Sequence, residues 1–163
     1  MSDPRVVSRS GRGYVLHIGR DERALVSRLL EELRVLLTEQ PDEATIARLF
    51  PVVHPDHPDR EAEYQRLMRD ELVTSRLEGI DTVQAVLARS GRKVSLDESE
   101  MAAFAQAVNS VRLVLGTMLD VSEDDDADPR DEILDTPEYH LYGYLSWVLD
   151  AAVRAMSGGL PGA

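Results

Sequence analysis

The stretch Asn-Ser-Val-Arg-Leu-Val-Leu-Gly-Thr-Met-Leu at residues 109–119, followed by the acidic run of residues 120–132, decides the fold prediction. The first stretch has the apolar content of a buried helix and contains one charged residue, Arg112. After the acidic run, Thr136 is a suitable side-chain cap and Pro137 a suitable first-turn residue for a new helix. The pattern predicts two apolar helices joined by a charged connection, and none of these residues is typical of a catalytic site.

Apolar residues at spacings of three and four predict helices through most of the chain. One helix begins at Asp21, and proline at its first position favours a short helix over residues 41–49. A longer helical region follows Asp59, with a break expected near Asp70 or a weak point at Gly79. Each of these helices has an apolar stripe that must be buried against another element.

Two further local signals, one in the middle of the chain and one near its N-terminus, complete the fold prediction. Ser95 and Glu98 have the spacing of a capping box at the start of a further helix. Near the N-terminus, β-prone residues on either side of the turn residues 10–13 predict a hairpin. We therefore expect a mainly α protein, a compact helical domain of five to six helices with a short N-terminal β-hairpin. The predicted organisation is a single domain over residues 1–163, with the hairpin at 5–18, a helical body at 21–157 and a flexible tail at 158–163.

The charge balance limits the classes of partner. The 163 residues include 30 acidic and 18 basic side chains, which gives a net charge of −12, and eight of the acids lie in residues 120–132. Direct nucleic-acid binding is not expected, because non-specific affinity for DNA depends on Lys and Arg displacing counterions from phosphates. The basic N-terminal residues Arg5, Arg9, Arg12 and Arg20 are interpreted as a solvated edge.

The sequence lacks the residues that several kinds of chemistry require. The chain has no cysteine, which excludes disulfides, thiolate metal ligands and thiol redox switches. The sequence contains no signal region and no apolar run of the roughly 18 residues that span a membrane, so we expect a cytoplasmic protein that does not bind membranes. It also lacks the nucleophile, zinc-protease, phosphate-loop and dinucleotide-binding motifs. We therefore expect a protein that is not an enzyme and has no cofactor.

Two histidines are weak candidates for metal binding. A zinc site needs three or four converging ligands, but Pro55 and Pro58 alternate with His54 and His57 and no third histidine lies nearby. A surface loop that leads into the next helix is the favoured interpretation. No metal site is therefore predicted.

Asp124, Asp125 and Asp126 are candidate partner-binding residues. Together with Asp128 they partly match a calcium-binding loop, but proline replaces the glycine required at its sixth position and aspartate replaces the glutamate at its twelfth. A solvated connection fits these residues better. Such a connection could still dock a basic partner.

Arg112 and Tyr142 complete the set of candidate residues. An arginine inside an apolar helix needs a partner or a route to solvent, so we predict a structural ion pair between Arg112 and an acid from a neighbouring helix, with partner binding as the second interpretation. Tyr142 lies off the apolar stripe of the last helix and is predicted on an interface. A homodimer is possible through the hairpin edge or the last helix.

Several segments also occur in an order typical of a known family. They are the hairpin followed by residues 29–33, then residues 49–51, 64–67, 70–72, 112–117, 121–124 and 142–148. In these segments the chain resembles the actinobacterial family of a domain of unknown function, DUF2017, over almost its whole length. The excess of arginine over lysine suits an actinobacterial source.

The resemblance implies a small cytoplasmic protein, often encoded near a Clp-protease adaptor and cysteine-biosynthesis genes. One branch of the family is described as oxidative-stress transcriptional regulators that work with an alternative sigma factor and sense redox through cysteines. A chain without cysteine cannot use that redox mechanism. We therefore expect a non-enzymatic regulatory protein whose partner is a sigma factor or RNA polymerase. The alternatives are an accessory factor linked to Clp proteolysis and a protein with a small-molecule or metal ligand.

Overall fold

Four α-helices and a three-stranded antiparallel sheet make up the computed structural model, which describes residues 6–39, 44–119 and 136–158. The helices are α1 (Arg20–Glu39), α2 (Pro58–Leu87), α3 (Glu98–Met118) and α4 (Pro137–Ser157). A 3-10 helix, Ala44–Leu49, lies between α1 and α2 along the chain. The strands are β1 (Val7–Ser10), β2 (Gly13–Leu16) and β3 (Val94–Leu96), with β2 in the middle of the sheet.

The mainly helical fold and the N-terminal hairpin are confirmed, but the predicted number of five to six helices is wrong. Residues 44–49 form a 3-10 helix, and the region after Asp59 is one continuous helix of 30 residues. A single glycine costs a helix about 1 kcal/mol relative to alanine, which does not by itself end it. The turns after Gly79 are held by burial of Ile80, Val83 and Leu87 in the core.

The sheet contains a third strand that the sequence analysis missed. β3 pairs with β2 in antiparallel register, with Leu96 opposite Tyr14 and Val94 opposite Leu16. Val94 and Leu96 are buried, while Ser95 between them is exposed. Three residues are too few for a convincing alternating pattern, so the pairing with β2 determines this strand more than its own sequence does.

Helix α3 begins with a capping box, two residues later than predicted. The Asp97 carboxylate accepts from the backbone N–H of Glu100 at 2.7 Å, and the Glu100 carboxylate accepts from the backbone N–H of Asp97 at 3.0 Å. The predicted pair, Ser95 and Glu98, does not form the box, because Ser95 lies in β3. The same motif therefore begins the helix from a different pair of residues.

Helix α3 lies at the centre of the core and packs against α1, α2, α4, the 3-10 helix and the sheet. Its Met101 and Phe104 have no exposed surface. Arg76 from α2 reaches this core and donates to the Ser110 hydroxyl at 2.7 Å, and burial lowers the pKa of Arg76. The hydroxyl of Ser110 in turn donates to the Gln106 carbonyl at 2.9 Å, so this buried polar residue is fully engaged.

Helix α4 begins and ends as the sequence predicts. The Thr136 hydroxyl accepts from the backbone N–H of Tyr139 at 3.2 Å, and the helix ends at Ser157. Its Leu145, Val148 and Ala152 are buried in the common core. None of the helices in the described residues is long and apolar enough to cross a bilayer.

Candidate functional site

A cleft of about 520 Å³ lies where the first strand packs against the last helix. We call it the β1–α4 cleft. One wall is the chain around β1 and the other is the outward face of α4. The lining residues are Val6, Val7, Ser8 and Arg9 on the strand side and Trp147, Asp150, Ala151, Arg154, Ala155 and Gly158 on the helix side.

The strand wall of the cleft is a sheet edge. β1 pairs only with β2 in the described part of the chain, and Ser10 opposite Gly13 closes a hairpin with a two-residue loop. In such a ladder, hydrogen-bonded and non-hydrogen-bonded pairs alternate, and the bond from the His17 N–H to the Val6 carbonyl at 2.7 Å fixes which pairs are bonded. The backbone N–H and C=O groups of Val7 and Arg9 consequently point away from β2.

The side chain of Arg9 is held by contacts with β2 and α3. Its guanidinium donates to the Tyr14 hydroxyl at 2.7 Å, and that hydroxyl donates to the Glu98 carboxylate at 3.1 Å. Burial, followed by the bond to Glu98, raises the pKa of Tyr14. These contacts fix β1 and β2 to the first turn of α3, so the edge is held in place before any partner arrives.

Trp147 is the largest apolar side chain on the helix wall, and half of its surface (50%) is exposed. Its ring lies 6.2 Å from that of Tyr144, centroid to centroid, in a tilted arrangement. The Tyr144 hydroxyl donates to Glu22 of α1 at 2.9 Å. Burial of the hydroxyl is the larger cause that raises the pKa of Tyr144, and the hydrogen bond to Glu22 is the second. Tyr144 is thus fixed between two helices and supports the exposed indole beside it.

Charged groups of both signs lie at the rim of the cleft. Asp150 and Arg154, one helical turn apart, form an ion pair with an N–O distance of 3.0 Å, and their side chains are 58% and 80% exposed. An exposed pair of this kind stabilises a helix by only a few tenths of a kcal/mol. Both groups can therefore exchange their mutual contact for contacts with a partner at little cost.

The structure brings the predicted residues Arg112 and Tyr142 together. Arg112 donates to the Asn109 side chain at 2.9 Å and to the Tyr142 hydroxyl at 3.2 Å, and its guanidinium carbon lies 5.8 Å from the centre of the Tyr142 ring. The Tyr142 ring packs so closely on α3 that a β-carbon at Gly116 would lie 3.0 Å from it. Tyr142 thus joins α4 to α3, and the predicted ion pair of Arg112 with an acid stays a prediction.

The loop with the two histidines is ordered by a carboxylate from α2. Glu61 accepts from the backbone N–H groups of Val53 and His54 at 2.9 and 2.7 Å, and bonds from Gln65 and His54 lower the pKa of Glu61. The His54 ring packs edge-on against Tyr64 at 5.9 Å between centroids. Within the described ranges, no group of three His, Asp or Glu side chains is placed to hold a metal ion.

The remaining predicted binding residues, Asp124, Asp125 and Asp126, lie outside the described residues. Their proposed role in docking a basic partner stays a prediction.

The sequence analysis did not identify Trp147 as a binding residue. The available signal was its position within α4, because Leu145, Val148 and Ala152 form the buried stripe and Trp147 falls beside it. A tryptophan outside the buried stripe is a candidate for an interface. The hairpin that forms the other wall was predicted, but nothing in the sequence indicates that β1 lies next to α4.

A family model described as a domain of unknown function, DUF2017, matches residues 3–156. The match includes both walls of the β1–α4 cleft up to residue 156. Comparisons with curated proteins and with solved structures give no match.

Proposed function

The chain belongs to the DUF2017 family, a domain of unknown function, and we propose that it is a non-enzymatic regulatory protein that acts through a protein partner. The partner to test first is the transcription machinery, a sigma factor or RNA polymerase. The half-exposed Trp147 beside the edge strand β1, which pairs only with β2 among the described residues, carries the proposal. The function needs no cysteine, because it depends on docking and not on a thiol switch.

The cleft suits an extended peptide segment of the partner. Such a segment adds a strand to a sheet edge through main-chain hydrogen bonds, and its side chains enter neighbouring pockets for specificity. Here Arg9, which is exposed, offers the main-chain groups, while Val7 is buried (5% exposed) and forms the floor, and Trp147 offers an apolar surface across the cleft. Tryptophan and arginine are also the residue types that most often dominate binding energy at protein interfaces.

The charge of the protein supports a role mediated by protein contacts. A net charge of −12 opposes direct binding to the phosphate backbone of DNA. A protein partner can use both signs of charge at the rim, where Asp150 and Arg154 are exposed. A regulator that reaches DNA only through the polymerase fits this surface.

The test compares capture of partners by the wild type and two variants. The Trp147→Ala variant removes the indole, and Leu67→Ala is the matched control because Leu67 is a 60% exposed apolar residue on α2. We expect RNA polymerase or a sigma factor to be enriched from a cognate lysate. With the purified partner, Trp147→Ala should raise the dissociation constant about thirtyfold, because binding loses about 2 kcal/mol when a hot spot is removed.

Three results would count against the proposal. Absence of polymerase and sigma factors from the captured proteins contradicts the choice of partner. Equal losses in Trp147→Ala and Leu67→Ala contradict the assignment of the cleft. Enrichment of Clp components instead would move the function to proteolysis.

A further inference from the structure

A second cleft, of about 1010 Å³, lies between the start of α1 and the end of α2. We call it the basic cleft. Among the described residues its lining includes five cationic side chains and no acidic one, although the chain as a whole has a net charge of −12. The cationic residues are Arg20, Arg23, Arg89, Arg92 and Lys93. A cleft lined by charges of one sign concentrates counter-ions of the other sign.

Two of the five cations have structural partners. Arg23 donates to the carbonyl oxygens of Arg89 and Gly91 at 2.9 and 2.5 Å, which ties the loop after α2 to α1. Arg89 donates to the Ser95 carbonyl at 2.7 Å and pairs with the Glu100 carboxylate. These bonds build the cleft and fix the loop that carries Arg92 and Lys93, while Arg20 lies at the start of α1.

The other three cations, Arg20, Arg92 and Lys93, are exposed and form no ion pair or side-chain hydrogen bond within the described residues. They surround a common cleft, and like charges held near one another repel. An anion bound among them would remove that repulsion. Their arrangement therefore favours a ligand that carries several negative charges.

The start of α1 also borders the cleft. The first-turn N–H groups of a helix lack intrahelical partners, but this turn carries Asp21 and Glu22, which offset its partial positive charge, so the anion attraction rests on the side-chain cations. The Nε of Arg23 is buried with no hydrogen-bond partner in the described part of the chain. Buried donors in native proteins are almost always satisfied by protein groups or ordered water, and the other two guanidinium nitrogens of Arg23 already bond to the loop after α2, so this Nε does not by itself indicate a ligand.

Cations near the end of α2 could instead serve only to balance its C-terminal dipole. Arg23 instead donates to carbonyl oxygens in the loop after α2, and Arg89 donates to the Ser95 carbonyl in β3. Arg20, Arg92 and Lys93 donate to no carbonyl in the described structure. Local structural contacts therefore account for two of the cations and leave three for another purpose.

From this arrangement we propose that the basic cleft binds a small phosphorylated molecule of nucleotide size. Arg20, Arg92 and Lys93 hold its phosphates. Apolar lining from Ala24 and Leu87 accommodates an uncharged ring. The volume lies at the upper end of the range for small-molecule sites, so a nucleoside polyphosphate fits in size. The proposal does not depend on the protein partner of the β1–α4 cleft.

Isothermal titration calorimetry with ATP, inorganic pyrophosphate and adenosine, without divalent metal, tests the proposal. We expect ATP to bind more tightly than pyrophosphate and adenosine to bind least. The Arg92→Gln/Lys93→Gln variant should weaken ATP binding at least tenfold. The control, Arg28→Gln/Arg60→Gln, removes the same charge from exposed residues outside the cleft and should stay within twofold of the wild type.

The proposal is overturned if the wild type binds neither ATP nor pyrophosphate at millimolar concentration. Equal weakening in both double variants would also overturn it, because it would show a response to net charge alone. Binding of single-stranded nucleic acid without binding of small phosphates would replace it with a different ligand class. Unchanged thermal unfolding of the two variants shows that a loss of affinity is not a loss of fold.

Discussion

Gly13, the first residue of β2, lies against the backbone of Leu96 at the end of β3. A β-carbon at this position would lie 2.4 Å from the Leu96 carbonyl oxygen, well inside any normal contact. The atom in the way belongs to the backbone and cannot rotate aside as a side chain can. Glycine at this position therefore allows β3 to join the sheet.

Replacing Gly13 with alanine should destabilise the fold by about 1–3 kcal/mol, the usual cost of forcing an extra group into a packed site. Urea unfolding measures the change. Gly79→Ala is the control, because a β-carbon there meets no atom within 4 Å and should be neutral or stabilising by up to about 1 kcal/mol. Equal stability of the two variants would contradict the role of Gly13.

Single residues also show how far the sequence could define the contacts. The requirement that Arg112 find a polar partner follows from its apolar neighbours on α3. That Tyr142 is one such partner depends on how α4 packs against α3, which no local pattern encodes. For the same reason the hydrogen bond of Tyr144 to Glu22 could not be foreseen, since it joins helices from opposite halves of the chain.

At the scale of elements, the start of α3 depends on tertiary structure. Ser95/Glu98 and Asp97/Glu100 have the same spacing, so both pairs satisfy the capping-box pattern. The pairing of Ser95 with Val15 in the sheet removes the first pair and leaves the second. Helix periodicity was a reliable guide to α1, α3 and α4, whereas the three-residue strand β3 was too short to identify.

The Arg89–Glu100 pair makes the stability of the start of α3 depend on pH. The bond from Arg89, and next the one from the Asp97 N–H, hold the pKa of Glu100 below its ordinary value of 4.5. The pair therefore contributes stability above that pH and loses it as the pH falls through the lowered pKa of the folded state. Near neutral pH, Glu100→Gln should cost about 1 kcal/mol, and this difference from the wild type should shrink below pH 4.5.

Urea unfolding of both proteins across this pH range measures the difference. Glu78→Gln is the matched control, since Glu78 is an exposed glutamate on α2 without an ion pair in the described residues. Its stability should follow that of the wild type at every pH. A Glu100→Gln effect that stays constant into acid would contradict the assignment.

At the scale of the whole molecule, the first strand and the last helix meet to form the β1–α4 cleft. The sequence predicted the hairpin and α4 separately, and both are present. The hairpin and α4 come into contact because both pack onto α3. Residues that are far apart in the chain give no sequence signal for such a contact. The sequence could therefore predict the walls of the candidate site but not the site itself.

Charge is also distributed unevenly over the whole molecule. The basic cleft lies beside the first turn of α3 through the Arg89–Glu100 pair, while the acidic run follows the other end of this helix. The acidic run lies outside the described residues, so the described basic surface is the one that the cleft presents.

Hydrogen exchange of the β1 amides, with and without the captured partner, tests the central claim most directly. If a partner segment pairs with the edge of β1, the N–H group of the exposed Arg9 gains a hydrogen bond and its exchange slows at least tenfold. The Ser8 and Ser10 N–H groups already bond to β2 and serve as internal controls with little change. Unchanged exchange at Arg9 in a saturated complex would contradict strand addition at the β1–α4 cleft.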